Sequence, residues 1–474
     1  MNDLQPRQSW GFAEVLRLSW PAGLSMLNAT LMRFVDGWMV SRLGYETSAA
    51  QFNAGLTSFV PESFAMGVLI VVNTYVSQNF GAGRFRRCGQ YAWAGFLLAL
   101  GYCVLVAPAA VFAPQIFDLF PKEGHTDFIR QQETMYFRYM ILAIFFTLTA
   151  RPIEQFFFGI HRPRVVLAAS LLANGLNLLG DYVLIFGMWG FPKMGLEGAA
   201  IATVASWGLM LAILLMVFLS PSIHRRYATR GLRLVRGRQM KDLLKIGWPA
   251  GVQFVNDILP WMIFTGVIVA WFGPDHFAAS TFAMRWMPLS FMPAVGIGIA
   301  TTALVGRYIG EGRPEMSKKR VHAALLTAMI YMGVCATAFL VFGRDMVRIF
   351  ATIDPEFATL GPVEAAEQLE TIVRIGGQVM ICAAVFQLFD AVGIVYIGAL
   401  RGAGDTLAPM IVTVLASWGL TIGGGIAVAR HVPQLASIGP WIAASAYVVV
   451  LGIVLAWRFE SGAWRKIHLL DGKK

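Results

Sequence analysis

Charge is scarce in this chain. Asp, Glu, Lys and Arg make up 14% of its 474 residues, where a soluble domain has about 25%. Apolar residues make up 57%, and the mean hydropathy is +0.61. This balance excludes a disordered chain, a collagen and a disulfide-framed secreted domain. Cysteine is nearly absent: Cys88, Cys103, Cys335 and Cys382 form no CxxC and mostly sit within apolar runs, so they read as small core residues. Gly-Lys occurs only at 472–473, without the upstream glycine of a phosphate loop, and Gly81-x-Gly83 alone is no dinucleotide fingerprint. HExxH, GxSxG and axial haem patterns are missing, so neither an enzyme nor a cofactor is expected. No short apolar region with a small-residue cleavage site opens the chain, and its first hydrophobic segment is expected to remain as an anchor.

What is present is a succession of apolar segments. Six fall at 18–40, 54–79, 89–113, 131–154, 164–187 and 195–219, and six more at 246–271, 282–306, 321–343, 374–398, 406–429 and 438–457. A helical span takes ~20 apolar residues, so twelve spans with their connections fill the chain and leave no room for a large soluble domain. The expected fold is an all-α integral membrane protein of twelve transmembrane helices. It divides into an amino lobe over 12–220, a basic linker over 221–245 and a carboxy lobe over 246–460.

The net charge of +11 would raise nucleic acid as a partner for a soluble protein. Here the basic residues have a topological meaning, because Lys and Arg accumulate on the cytoplasmic side of membrane proteins. With the N-terminus inside, the inner connections hold 26 Lys and Arg and the outer ones 8. Eight of the 26 lie in the linker, from Arg225 to Lys245. Both termini are therefore expected in the cytoplasm, with the chain in the inner membrane.

The chain also repeats itself. Trp20-Pro-Ala-Gly23 returns as Trp248-Pro-Ala-Gly251, and Gly81-Ala-Gly-Arg84 returns as Gly310-Glu-Gly-Arg313, at offsets of 228 and 229. Six spans per repeat make the repeats parallel, so the lobes are expected to be related by a pseudo-two-fold axis along the membrane normal.

Ionisable groups inside hydrocarbon are costly and usually functional. Asp36 falls in span 1, Glu62 in span 2, Asp181 in span 5, Asp257 in span 7 and Asp390 in span 10. The histidines fall outside the spans or at their ends, which leaves proton or cation work to carboxylates. Asp36, Tyr139, Asn177, Asp181 and Thr203 all fall in the outer halves of their spans, and Asn177 and Asp181 share a helix face. Such a set suits H⁺ or Na⁺ equally. Each residue also has a plainer role: Asp36 pairing with Arg33, Asn177 and Thr203 bonding between helices, Tyr139 packing, Asp181 solvated at a span end. Asp257 and Asp390 are set deeper, where pairing with each other or with Arg285 is the alternative. Glu62 follows Pro61, so it either lines a cavity or caps a kink. Pro21 and the other prolines within spans free backbone carbonyls and permit bends.

The paired Trp-Pro-Ala-Gly segments, Asp36 and the two Gly-x-Gly-Arg turns resemble the multidrug and toxic compound extrusion (MATE) family. So do Asn177-x-x-x-Asp181, Gly195-Leu-Glu-Gly-Ala-Ala-Ile-Ala-Thr203 and Leu400-Arg-Gly-Ala-Gly-Asp-Thr406. The likeness runs from about Phe12 to Phe459. It implies two six-helix lobes around a central cavity, exporting organic cations in exchange for H⁺ or Na⁺. Asp36, Asn177, Asp181 and Thr203 match the amino-lobe cation site of DinF-like members, and Tyr139 is carried over with them. Asp257 and Asp390 match the acids of helices 7 and 10 in NorM-like members, which tend to have Tyr one turn before the second acid; here that residue is Phe386.

The chain therefore reads as a secondary multidrug antiporter acting on cationic, amphipathic drugs. Asp36, Tyr139, Asn177, Asp181 and Thr203 would hold the coupling cation. Asp257, Asp390 and Glu62 would serve a second cation or the substrate, with Pro21 as a hinge. Its partners would be those drugs and the lipid bilayer, not nucleic acid, and a monomer is expected. The nearest rival is a flippase of lipid-linked saccharides, which would favour a cationic cavity; Arg33, Arg138 and Arg285 are the candidates in spans. A lipid-modifying enzyme would call for His, Asp or Ser clustered at one membrane face, and no such cluster is evident.

Overall fold

The structure is a computed structural model that describes residues 11–119, 126–231, 237–352 and 362–470. Among them every regular element is helical. Twelve long helices follow in chain order: α1 Phe12–Ser41, α2 Tyr45–Gly81, α3 Phe85–Ala110, α4 Asp127–Gly159, α5 Pro163–Phe186, α6 Leu196–Phe218, α7 Gly237–Phe272, α8 Pro274–Gly310, α9 Pro314–Ala351, α10 Val363–Ala403, α11 Leu407–His431 and α12 Ile438–Glu460. They correspond one to one with the twelve expected spans. Among the described residues, eleven (α2 to α12) are both long and apolar enough to cross a membrane. The first is the exception because its 30 residues include Glu14, Arg17, Asn28, Arg33 and Asp36. Of the charges used to assign topology, Arg7, Lys122, Arg233, Arg236, Lys473 and Lys474 lie outside the described residues. All four cysteines are free.

The repeats seen in the sequence are the same structure twice. Gly83 and Gly312 both adopt positive φ, 70° and 72°. The chain then closes with Arg84 N–H donating to Asn79 O and Arg313 N–H to Tyr308 O, each at 2.8 Å. This six-to-one bond is the helix-terminating pattern that a left-handed residue allows. Arg162 closes α4 onto Phe157 and Asp405 closes α10 onto Leu400 in the same way, also at 2.8 Å. His161, at φ 62°, takes the left-handed position that Gly404 takes in the second case.

Two compact units emerge. One gathers Leu24–Phe254, Thr302–Pro314 and His468–Lys474; the other gathers Met1–Gly23, Val255–Thr301 and Glu315–Ile467. α1, α7 and α8 each contribute residues to both units. Close glycine contacts tie helices together within each. Within the first unit, a Cβ on Gly67 of α2 would lie 2.5 Å from the Ala250 carbonyl of α7. Cβ atoms on Gly81 and Gly310 would run into the Arg307 and Gln78 carbonyls, so the two repeated turns press directly on each other. Within the second unit, Gly23 of α1 meets Pro293 and Gly296 of α8. Backbones this close require the absence of a side chain, as in small-residue packing of membrane helices.

The 221–245 segment is largely helical where described. Pro221–Tyr227 is a short helix whose Ile223 and Tyr227 are buried, and Gly237 onward belongs to α7. Tyr227 packs edge-on against Phe85 and Phe156, and Arg226 stacks over Phe85 at 4.3 Å. Its described part is therefore docked on its unit.

Candidate functional site

In the unit containing Leu24–Phe254, α5 presents Asn177 and Asp181 one turn apart, both buried (1% and 0% exposed). The register between α5 and α6 is set by Gly180, where an added Cβ would come within 2.9 Å of Ala202. Thr203, the next residue of α6, lies within one helical turn of Asp181 in depth, and its carbonyl accepts from Ser206. The last turns of α1 bring in Asp36, and α1 is tied to α5 by Asn174 donating to the Asn28 carbonyl at 2.8 Å.

The Asp36 and Asp181 carboxyl groups lie close enough to interact directly. As carboxylates, both are acceptors only. Asp36 Oδ1, both Asp181 oxygens and Asn177 Nδ2 are buried without a partner. Buried polar atoms in proteins are nearly always paired, and a buried carboxylate pair without a donor is especially costly. One proton shared between the two groups, or one small cation held by both, is the species that resolves the arrangement. No ion pair joins Arg33 to Asp36 among the described residues; Arg33 stacks over Phe59 instead, at 5.6 Å.

Tyr139 is elsewhere. Its hydroxyl donates to Glu197 at 2.8 Å. Tyr136, one turn earlier and buried, is the phenol near Asp36 and Asp181, and it is hydrogen-bonded to Gln51. Glu133 continues the same α4 face outward and accepts from Asn53 at 2.9 Å, fully buried. The signal for Tyr136 was available in the sequence. Ile129, Glu133, Tyr136 and Phe137 mark the buried stripe of α4 at helical spacing, and Tyr139 falls beside it.

Glu62 occupies a separate place in α2, where Thr147 donates to it at 2.5 Å and Arg33 and Arg151 are within electrostatic reach. Tyr102 donates to the Pro61 carbonyl at 2.7 Å, satisfying one acceptor at the proline bend. Arg151 itself pairs with Glu154 at 2.8 Å. This largely buried pair in α4 escaped the sequence reading because it lies at the C-terminal end of the span.

In the unit containing Glu315–Ile467, Asp257 sits at a break in α7. The helix stops at Asn256, and Ile258 N–H bonds to Val255 O in a tighter turn before Pro260. The break is fixed to a π-helical stretch of α11, Ser417–Gly424, since Asn256 donates to Ser417 and accepts from Trp418, both at 2.9 Å. Irregular turns of this kind recur at functional sites. Asp390 of α10 lies within electrostatic reach of Asp257, and Tyr447 of α12 lies near both. That tyrosine supplies the phenol that Phe386 lacks. Arg401 is a cation within electrostatic reach of Asp257. Arg285 stacks over Phe350 at 5.1 Å.

With these two carboxylate groups in place, comparison with known proteins is informative. A family model described as MatE matches residues 21–183 and 254–426, one stretch in each half. A probable multidrug resistance protein NorM of Thermotoga maritima is 26% identical over 472 residues, covering 97% of this chain and 95% of that protein. Another from Deinococcus radiodurans is 28% identical, covering 94% of each. Among solved structures, the outward-facing conformation of a multidrug resistance MATE family transporter superposes with a TM-score of 0.83 at 21% identity, covering 98% of this chain and all of that one. A Vibrio cholerae MATE transporter gives 0.84 at 15% identity, covering 97% and 98%.

Proposed function

Because this chain belongs to the MatE family of membrane transporters, we propose that it is a secondary multidrug antiporter exporting organic, mainly cationic and amphipathic compounds in exchange for H⁺ or Na⁺. It is a multi-pass membrane protein and not an enzyme. The single observation that carries the coupling proposal is the Asp36 and Asp181 pair, with three of its carboxyl oxygens buried and unpartnered. A pair that must hold a proton or a cation is a device that can take one from outside and give it up when the surroundings change. The coupling site comprises Asp36, Asp181, Asn177 and Thr203, with Tyr136 in place of Tyr139. Pro21, two residues before the point where α1 passes between units, is its hinge.

Coupling requires the ion and the drug to differ in affinity between the inward- and outward-facing states. Exchange of one H⁺ for a monovalent drug cation moves no net charge, so only the pH gradient, ~1.4 kcal/mol per unit, drives it. A second ion would add ~2.3 kcal/mol per 100 mV, and the Asp257–Asp390 group offers a place for one. Proteoliposomes loaded with a cationic dye test the proposal. Efflux should follow an imposed ΔpH or ΔpNa, and no response to either gradient would overturn it.

If Asp257 meets the drug directly, Asp257→Asn should weaken export of cationic drugs about tenfold while sparing neutral ones, with competition for dye efflux as the readout. Equal losses for both classes would assign it to coupling or structure.

An inner-membrane location with both termini in the cytoplasm rests on the 26-to-8 distribution of basic residues. Single cysteines introduced at Gly231 and at Trp189 into a cysteine-free background test it. An impermeant maleimide applied to whole cells should label only the one at 189, and labelling at 231 would reverse the topology.

A further inference from the structure

The outer end of α4 borders a cavity of about 650 Å³ that the coupling proposal does not use. That size is typical of a small-ligand site. Its upper wall holds Asp118 and Arg130, 3.4 Å apart. Deeper in are Arg138 and the Tyr139–Glu197 pair. Two features mark it as built for a ligand. Arg138 spends only its Nε, donating to the Ala110 carbonyl at 3.2 Å, and has no ion-pair partner among the described residues. Glu197 accepts from Tyr139 through Oε1 alone, which leaves Oε2 for another donor. Arg130 Nε is likewise buried without a partner. Arginine on the outer half of a span runs against the usual distribution of basic residues, and a charged residue at such depth points to a function.

The cavity is amphipathic along its length. Below Arg138 the cavity wall continues with Leu142, at i+4 and 49% exposed, and past the cavity the same α4 face runs on to Phe145, 37% exposed. The occupant therefore has a charged head at the outer end and an apolar tail running along α4. Two arginines and two carboxylates balance in charge, which favours a zwitterion over a simple anion. A guanidinium with free Nη groups suits a phosphate, and an available carboxylate oxygen suits a primary ammonium. We propose that this cavity binds a phospholipid bearing a phosphoethanolamine headgroup, with Arg138 on the phosphate and Glu197 on the ammonium.

Native mass spectrometry of the delipidated, full-length protein tests the proposal, using short-chain phosphatidylethanolamine, phosphatidylglycerol of equal chain length and soluble O-phosphoethanolamine. The wild type should retain phosphatidylethanolamine over phosphatidylglycerol, and soluble phosphoethanolamine should not displace it. Arg138→Gln should lower retention of phosphatidylethanolamine about fivefold, as expected for losing one basic contact at a lipid surface. Glu197→Gln, which keeps a partner for Tyr139, should abolish the preference between the two lipids while leaving phosphatidylglycerol retention intact. That second result does not depend on whether Arg138→Gln folds. Equal retention of both lipids by the wild type, unchanged selectivity in Glu197→Gln, or full displacement by soluble phosphoethanolamine would each overturn it.

Discussion

Asp181→Asn is expected to reduce ΔpH-driven drug efflux from proteoliposomes at least tenfold, to the level of empty vesicles, while the protein still folds and inserts. The substitution keeps side-chain volume and supplies a donor to Asp36, so the buried pair gains a hydrogen bond as it loses its exchangeable proton. Asp36→Asn should behave alike. The double variant should be little worse than either single one, because groups that act as a unit are not additive. A structural role for Asp36 through Arg33 predicts instead that removing both charges restores transport. Their geometry speaks against that outcome, since Arg33 stacks over Phe59 at 5.6 Å and makes no ion pair with Asp36 among the described residues. Wild-type efflux in either single variant would remove that residue from the coupling site.

Gly310→Val is the second large effect expected. A Cβ at this position runs into the Gln78 carbonyl and lies 2.9 Å from Ala82 N. The obstacle is backbone, which cannot rotate away as a flexible side chain would. Overpacking of a tight contact typically costs 1–3 kcal/mol and occasionally more. A clear fall in the thermal unfolding temperature in detergent is therefore expected, together with loss of efflux. Gly312→Ala probes the same turn differently: it adds a side chain into open space but at φ 72°, so its cost is backbone strain alone and should be smaller. Wild-type stability and transport in Gly310→Val would show that the two repeated turns do not need their close approach.

The order of elements was legible because membrane helices announce themselves by length and apolarity, and all twelve expected segments lie in helices. The duplicated turns were legible too, since a left-handed residue in a tight, six-to-one closure favours glycine, and Gly83 and Gly312 stand out at nearly one offset. The division into compact units was not. Gly67, Gly81 and Gly310 read in sequence as helix and turn residues, and only their backbone contacts show which helices they allow to meet. At the candidate site, Asp36, Asn177 and Asp181 stand out in the sequence by polarity and helix face. Tyr139 was placed by depth alone, and depth does not distinguish it from Tyr136, one turn earlier and rotated further into the buried stripe of α4. Tyr447 could not be found by spacing, because α12 brings it to Asp257 and Asp390 from a distant part of the chain.

Proton release on substrate binding tests the central claim most directly. Purified transporter in weakly buffered detergent solution, mixed with a cationic drug beside a pH indicator, should release protons in the wild type. Release should disappear in Asp36→Asn and Asp181→Asn even where the drug still binds, as judged by its fluorescence polarisation. Undiminished proton release from both variants would contradict the assignment of the coupling proton to the Asp36–Asp181 pair.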